Sequence, residues 1–134
     1  MLKNGLFQKG TCYENDIADI FAGVRKDEDG KLNYKDKFIN NNIFQWESIA
    51  DISNKEIEHI RNSKKVHLFI RKMKSEDSVT LPYTYFGLGT FTNERDSYTI
   101  ENNIKHPTKL YDIELDTPVP EEYNIDFEIP IENN

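Results

Sequence analysis

Polar and apolar residues alternate with period two in several segments of this chain, and each such segment predicts a β-strand. Val66–Met73 (VHLFIRKM) is the strongest, with Val66, Leu68 and Ile70 on one face and His67, Phe69 and Arg71 on the other. Both faces carry an apolar residue, which places it centrally in a sheet. Ile43–Ile49 (IFQWESI) sets Phe44, Trp46 and Ser48 against Ile43, Gln45 and Glu47, and Lys109–Leu115 (KLYDIEL) reads as a half-buried strand. Tyr83–Phe91 (YTYFGLGTF) is aromatic-rich, with Gly87 and Gly89 marking a bulge or a close backbone approach. Asp16–Lys26 (DIADIFAGVRK) matches helical spacing at Ile17, Ile20, Phe21 and Val24 and also a short buried strand; Gly23 and the β-branched content favour the strand. Asp27–Gly30 (DEDG) is a turn signal, followed by the short segment Asn33–Phe38. One helix start is clear: Ser53-Asn54-Lys55-Glu56 forms a capping box ahead of Ile57 and Ile60. Five or six strands and one or two short helices predict an α+β domain, a curled sheet or small β-barrel with the helix closing one end.

Composition narrows the function classes. At 134 residues, 37% hydrophobic and 12% aromatic, the chain is long and apolar enough for one real core. The net charge of -7 is unevenly placed: eight of the 24 acids and none of the 17 bases lie in residues 112–134, leaving 16 acids against 17 bases, net +1, before them. Acidity therefore belongs to the C-terminal segment, where Pro118, Pro120 and Pro130 favour an extended edge or tail. The expected organisation is a domain over residues 1–117 and an acidic extension over 118–134, packed on the domain or trailing it. Lacking a clear basic excess, the chain is a poor candidate for nonspecific, charge-driven DNA binding. A single cysteine, Cys12, no apolar run of membrane-spanning length and no signal-peptide pattern at the start point to a cytoplasmic protein without a membrane partner.

Enzyme templates find no foothold. Cys12, His59, His67 and His106 have no metal-ligand spacing, and no P-loop, GxSxG or GxGxxG is present, so neither a metal nor another cofactor is expected. What stands out is aromatic residues beside hydrogen-bonding groups: Tyr34 with Asp36, Phe44 and Trp46 with Ser48, and then Tyr83, Tyr85 and Phe86. Such a set suits a pocket for a planar ligand, with rings to stack and a carboxylate to read an exocyclic amine. Core packing is the simpler account of Phe44, Trp46 and Phe86, and a turn or capping role accounts for Asp36 equally well.

The ordered series DIFAGVRKDED, YKDKFINNNIFQWES, KKVHLFIRKMKSED, YTYFGLGTF and KLYDIELDTPVPEEY resembles the C-terminal domain of large bacterial proteins that join a phospholipase-D-type nuclease to a DEAD/DEAH-box helicase. The resemblance runs from about Asp16 to Tyr123 and rests on order and spacing, since no single motif is specific. It implies the modification-reading domain of a type IV, methylation-dependent restriction enzyme with an SRA-like or PUA-like fold. It also implies a bacterial cytoplasmic setting, a non-catalytic chain, and helicase and nuclease domains of a parent chain as partners.

The implied ligand is double-stranded DNA carrying 5-methylcytosine or 5-hydroxymethylcytosine, read by flipping the base. Carried onto this sequence, Tyr34 and Trp46 stack the base, with Phe44 or Tyr85 as substitutes. Asp36 accepts from the cytosine N4 amine, and Ser48 bonds the base edge or a phosphate. Arg25, Lys26, Lys35, Lys37, Arg71 and Lys72 contact the backbone. Asn40–Asn42 and Asn93–Asp96 are candidate groove-entering loops. A buried methyl is worth roughly 0.8 kcal/mol by transfer and about 1–3 kcal/mol with shape fit, so discrimination of about 10- to 200-fold is the expected ceiling. Two other readings stay open: a docking module that uses the acidic tail as a DNA mimic, and an RNA-binding PUA-like domain.

Overall fold

The computed structural model describes residues 11–14, 16–24, 35–72, 75–76 and 79–131. The elements in chain order are β1 (Thr11–Glu14), β2 (Ile17–Gly23), β3 (Lys37–Asn40), β4 (Ile43–Glu47), α1 (Asn54–Asn62), β5 (Lys65–Arg71), β6 (Ser75–Glu76), β7 (Val79–Thr80), β8 (Thr84–Glu101) and β9 (Ile104–Leu115). A 3-10 turn covers Glu121–Tyr123. Seven strands form one curled sheet in the order β1-β2-β5-β8-β9-β4-β3, and β6 and β7 form a separate hairpin. Every pairing is antiparallel except β2 with β5, where Ile17 faces Lys65 and Gly23 faces Arg71. This curled sheet with one α-helix is the α+β architecture the sequence pattern predicts, in the SRA-like form the resemblance implies.

The inner face of the sheet builds the core. Alternate residues Ala18, Ile20 and Ala22 of β2 and Val66, Leu68 and Ile70 of β5 are buried there with Phe44 and Trp46 of β4 and Tyr111, Ile113 and Leu115 of β9. Each large aliphatic side chain so buried contributes about 1.5–3 kcal/mol of transfer free energy. Helix α1 begins as expected, with the Ser53 hydroxyl accepting from the Glu56 amide at 3.1 Å, and it buries Ile57 and Ile60. Gly89 of β8 lets the chain approach β9: a Cβ there would lie 2.8 Å from the Glu114 carbonyl oxygen and 2.9 Å from Ile113 Cγ2. At Gly87, φ is +100° and the β5–β8 register shifts, so the bulge anticipated from the two glycines lies at this point.

Three expectations need correction. The strands predicted at Tyr83–Phe91 and Lys109–Leu115 are the inner ends of a much longer hairpin, with Glu101 opposite Ile104 across Asn102-Asn103, both at positive φ. Asn93–Asp96, expected as a loop, lies inside β8 at a bulge between Thr92 and Arg95. After Pro118 the chain is no extended strand: it turns, and Val119, Phe127 and Ile129 enter the core, with the Phe86 ring 4.9 Å from Phe127. Its acids decorate a packed segment. Asn41 and Asn42 form the β3–β4 turn.

Candidate nucleic-acid interface

The β3–β4 hairpin holds a polar cluster with Asp36 at its centre. Asp36 immediately precedes β3, and its Oδ1 accepts the Glu47 amide at 2.7 Å, tying the entry of β3 to the end of β4. Among the described residues Oδ2 takes no hydrogen bond. Burial pushes the Asp36 carboxyl up to about 8; the Glu47 amide opposes this shift and the Glu47 carboxylate adds to it. Glu47 is itself buried, accepting from Thr108 Oγ1 at 2.8 Å with Lys35 Nζ at 3.5 Å. Lys35 Nζ also donates to Ser97 Oγ at 2.7 Å. Beside them Arg95 bridges Gln45 Oε1 at 2.8 Å and Asp112 Oδ1 at 3.1 Å. Two carboxyl groups next to one another, one of them kept largely neutral, offer both a donor and acceptors to a polar planar ligand.

A second group lies on the opposite face of β2, β5 and β8, where the odd-numbered residues of β2 and β5 point away from the core. The Phe21 and Phe69 rings stack at 4.7 Å and 11°, and Tyr85 packs on Phe69 at 5.0 Å. Tyr83 meets Phe21 edge-on at 5.1 Å, and the Arg71 guanidinium sits 4.5 Å from the Tyr83 ring centre. At the other end His67 Nδ1 is 2.7 Å from the Tyr85 hydroxyl. Burial, then the negative charge of Asp19, raises the Tyr85 phenol above its ordinary value. Tyr85 is 50% exposed, while Phe21, His67, Phe69 and Tyr83 are half-buried.

The residues singled out in the sequence divide between these places. Asp36, Lys35 and Ser48 gather at the β3–β4 end, although the Ser48 hydroxyl is occupied by backbone, donating to Ile49 O and accepting from Lys109 N. Phe44 is fully buried against Phe38, and Trp46 lies between Phe91 and Tyr111, so both rings are core residues rather than open walls. Tyr85 and Arg71 belong to the aromatic row, away from Asp36; Lys72 follows β5, and Lys37 is exposed on β3. Tyr34, Arg25 and Lys26, with the Asp27–Gly30 turn, lie outside the described residues. Sequence reasoning missed Glu47 and Thr108, which pair across 61 positions, and missed Asp19, Phe21, His67 and Phe69 as companions of Tyr83 and Tyr85. The signal for the latter was present in β5, whose second face alternates His67, Phe69 and Arg71.

Among the described residues no group of three His, Cys, Asp or Glu side chains is placed to hold a metal ion, and no helix is long and apolar enough to cross a membrane.

The family described as "Domain of unknown function (DUF3427)" matches residues 3–127. No curated protein matches the chain. Two solved structures share its fold. The MspJI restriction endonuclease, in complex with a 27-mer oligonucleotide, aligns with a TM-score of 0.53 at 8% identity, over 79% of this chain and 31% of that one. The DNA modification-dependent restriction endonuclease AspBHI aligns with a TM-score of 0.52 at 7% identity, over 92% of this chain and 39% of that one. The chain thus spans about a third of the length of either enzyme.

Proposed function

From the premise that the chain belongs to the DUF3427 family, we propose that it is a DNA-binding module that reads modified cytosine in duplex DNA. Its role is to direct the nuclease and helicase domains of a larger type IV restriction enzyme to modified foreign DNA. The observation that carries this reading is the Asp36 carboxyl, with Oδ1 fixed by the Glu47 amide and Oδ2 unbonded among the described residues. With its pKa pushed up to about 8, it is mostly neutral at pH 7. A neutral carboxyl presents an O–H donor beside a C=O acceptor, the complement of the N3 acceptor and N4 donor on the edge of a flipped cytosine. Support comes from a fold shared with MspJI and AspBHI, whose names record restriction and, for AspBHI, dependence on DNA modification.

Base flipping is the required route, because this edge is engaged in pairing within a duplex. Extrusion costs a few kcal/mol, and stacking on one ring returns about 1–3 kcal/mol. With Phe44 and Trp46 committed to the core, Tyr34, two positions before Asp36, is the proposed stacking ring. Lys37, Arg71 and Lys72, with Arg25 and Lys26, are the proposed phosphate contacts, and the methyl or hydroxymethyl group supplies the discrimination.

Fluorescence anisotropy with matched duplexes carrying cytosine, 5-methylcytosine or 5-hydroxymethylcytosine at one central site, at two salt concentrations, tests the reading. A preference for modified duplexes that persists at the higher salt is expected, since phosphate contacts weaken steeply with salt and are blind to the methyl. Equal binding to all three duplexes, or none, overturns it.

A further inference from the structure

Helix α1 and the bulged part of β8 leave between them a cavity of about 240 Å³, outside both clusters described above. Ile60, Arg61 and Ser63 line it from the end of α1, Phe91 and Glu94 from β8, and Tyr111 from β9. We propose that this cavity is a binding site for a guanidinium group, presented by an arginine side chain of a partner chain or by a free small molecule.

The lining is rich in acceptors and π faces and poor in donors. Phe91 and Tyr111 meet edge to face with ring centres 5.6 Å apart, and the faces of such rings attract cations. Glu94 takes three hydrogen bonds: Arg61 Nε at 3.1 Å and the Tyr111 hydroxyl at 3.0 Å on Oε1, and Arg61 Nη2 at 2.8 Å on Oε2. A carboxylate has room for about four, so Oε2 keeps capacity for another donor. The Arg61 bond, with help from the Tyr111 hydroxyl, holds Glu94 below the usual carboxylate range, and it stays ionised at neutral pH. Donors are already committed: Arg61 Nη1 donates to Glu58 at 3.3 Å, and the Ser63 hydroxyl donates to His59 O, which leaves Ser63 only acceptor lone pairs. Charge points the same way. Glu58, Glu94 and Asp96 outnumber their partners Arg61 and Lys109 by one, and the cavity lies at the C-terminal, negative end of the α1 dipole. Among cations a guanidinium suits the site better than an ammonium, because it is planar, stacks on rings and is more weakly hydrated. Glu94 already grips one guanidinium through two of its nitrogens.

Trp46 supplies the readout. It is the single tryptophan, with its ring centre 5.9 Å from Tyr111 and 6.1 Å from Phe91, so a cation against those rings changes its fluorescence. The 134-residue chain is titrated with methylguanidinium chloride, with a blocked tripeptide carrying one arginine, with the same tripeptide carrying uncharged citrulline instead, and with cytidine as a neutral planar ligand. Saturable changes are expected from the two guanidinium compounds and not from the neutral ones. Tighter binding of the arginine peptide identifies a partner chain as the source; equal or tighter binding of methylguanidinium identifies a free small molecule. Two substitutions move the affinity in opposite directions. Glu94→Gln removes the charge and should weaken binding about 10-fold, whereas Arg61→Gln releases acceptor positions on Glu94 and should tighten it about 10-fold, the strength of one charge-assisted hydrogen bond. Misfolding, checked by circular dichroism, explains a loss but not a gain. No saturable change with either guanidinium compound, an equal response to the citrulline peptide or to cytidine, or an Arg61→Gln variant that binds no more tightly than wild type overturns the proposal. None of these outcomes depends on the duplex titration above, so the two readings fail separately.

Discussion

Asp36→Asn should make the protein more stable at alkaline pH while keeping a donor beside the Oδ1 acceptor at the position proposed to read the base. The folded state holds the Asp36 proton up to about pH 8, whereas an unfolded aspartate releases it near 3.8. Because the folded-state value is raised, wild-type stability from this site is complete below pH 3.8 and is lost as pH climbs through the folded value. At about 1.4 kcal/mol per pH unit the interval of about 4 units sets a ceiling near 6 kcal/mol. Asp36 keeps part of its surface in contact with water, and screening there reduces the loss to roughly 2–3 kcal/mol. Asparagine keeps the Oδ1 acceptor for the Glu47 amide and carries no charge at any pH. For a chain of this size about 1 kcal/mol corresponds to about 3–5 °C, so at about pH 8.5 the variant should melt roughly 6–15 °C above wild type. Melting followed by circular dichroism at about pH 5 and about pH 8.5 measures this, and other titrating groups cancel between the two proteins. A melting difference that does not grow with pH would refute the reasoning, because the charged form of Asp36 would then carry no folding penalty.

Gly89→Ala should cost about 1–3 kcal/mol in denaturant unfolding, since the added carbon meets the Glu114 carbonyl and Ile113 and neither is the loose end of a flexible chain. At the hairpin tip, where Asn102 and Asn103 have φ of 51° and 63°, Asn103→Gly should raise the melting temperature slightly and Asn103→Val should lower it. Glu94 is held below the usual carboxylate range, first by the Arg61 hydrogen bond and also by the Tyr111 hydroxyl. Its carboxyl resonance in an NMR titration should therefore move below the ordinary glutamate pH, and Arg61→Met should shift that midpoint upward.

Legibility in the sequence tracked one-sided burial. Ser53 and Glu56 announced α1 because a cap is a local hydrogen bond, and β5 announced itself because Val66, Leu68 and Ile70 are fully buried on one face. The outer half of the β8–β9 hairpin was not legible. There Tyr98, Ile100, Ile104 and Lys105 are all exposed, so burial imposes no apolar alternation, and the Asn-Asn turn is a weaker signal than Asn-Gly. Prolines hid the packing of the C-terminal segment, since Pro118, Pro120 and Pro130 forbid ladder bonds but leave Val119, Phe127 and Ile129 free to enter the core. As for the site, a strand face that carries an aromatic and a serine is the same text whether the ring is core or wall; burial decided for Phe44 and Trp46. Asp36 was readable as a polar group among rings, whereas its partner Glu47 depended on strand pairing that local pattern does not encode.

The parallel contact between β2 and β5 constrains how the chain assembles in time. Ile17 meets Lys65 across 48 positions of sequence, and β3, β4 and α1 all lie within that interval. The β8–β9 ribbon instead closes across a two-residue turn. Local closure costs little chain entropy, while the long closure becomes favourable only after the intervening elements have condensed. This difference in closure predicts that the ribbon forms first and that β2 joins late, completing the outer aromatic row. In a refolding experiment with pulse-labelled amides, protons of Arg95–Ile100 should be protected before those of Ala18–Ala22, and the reverse order would contradict this sequence of events.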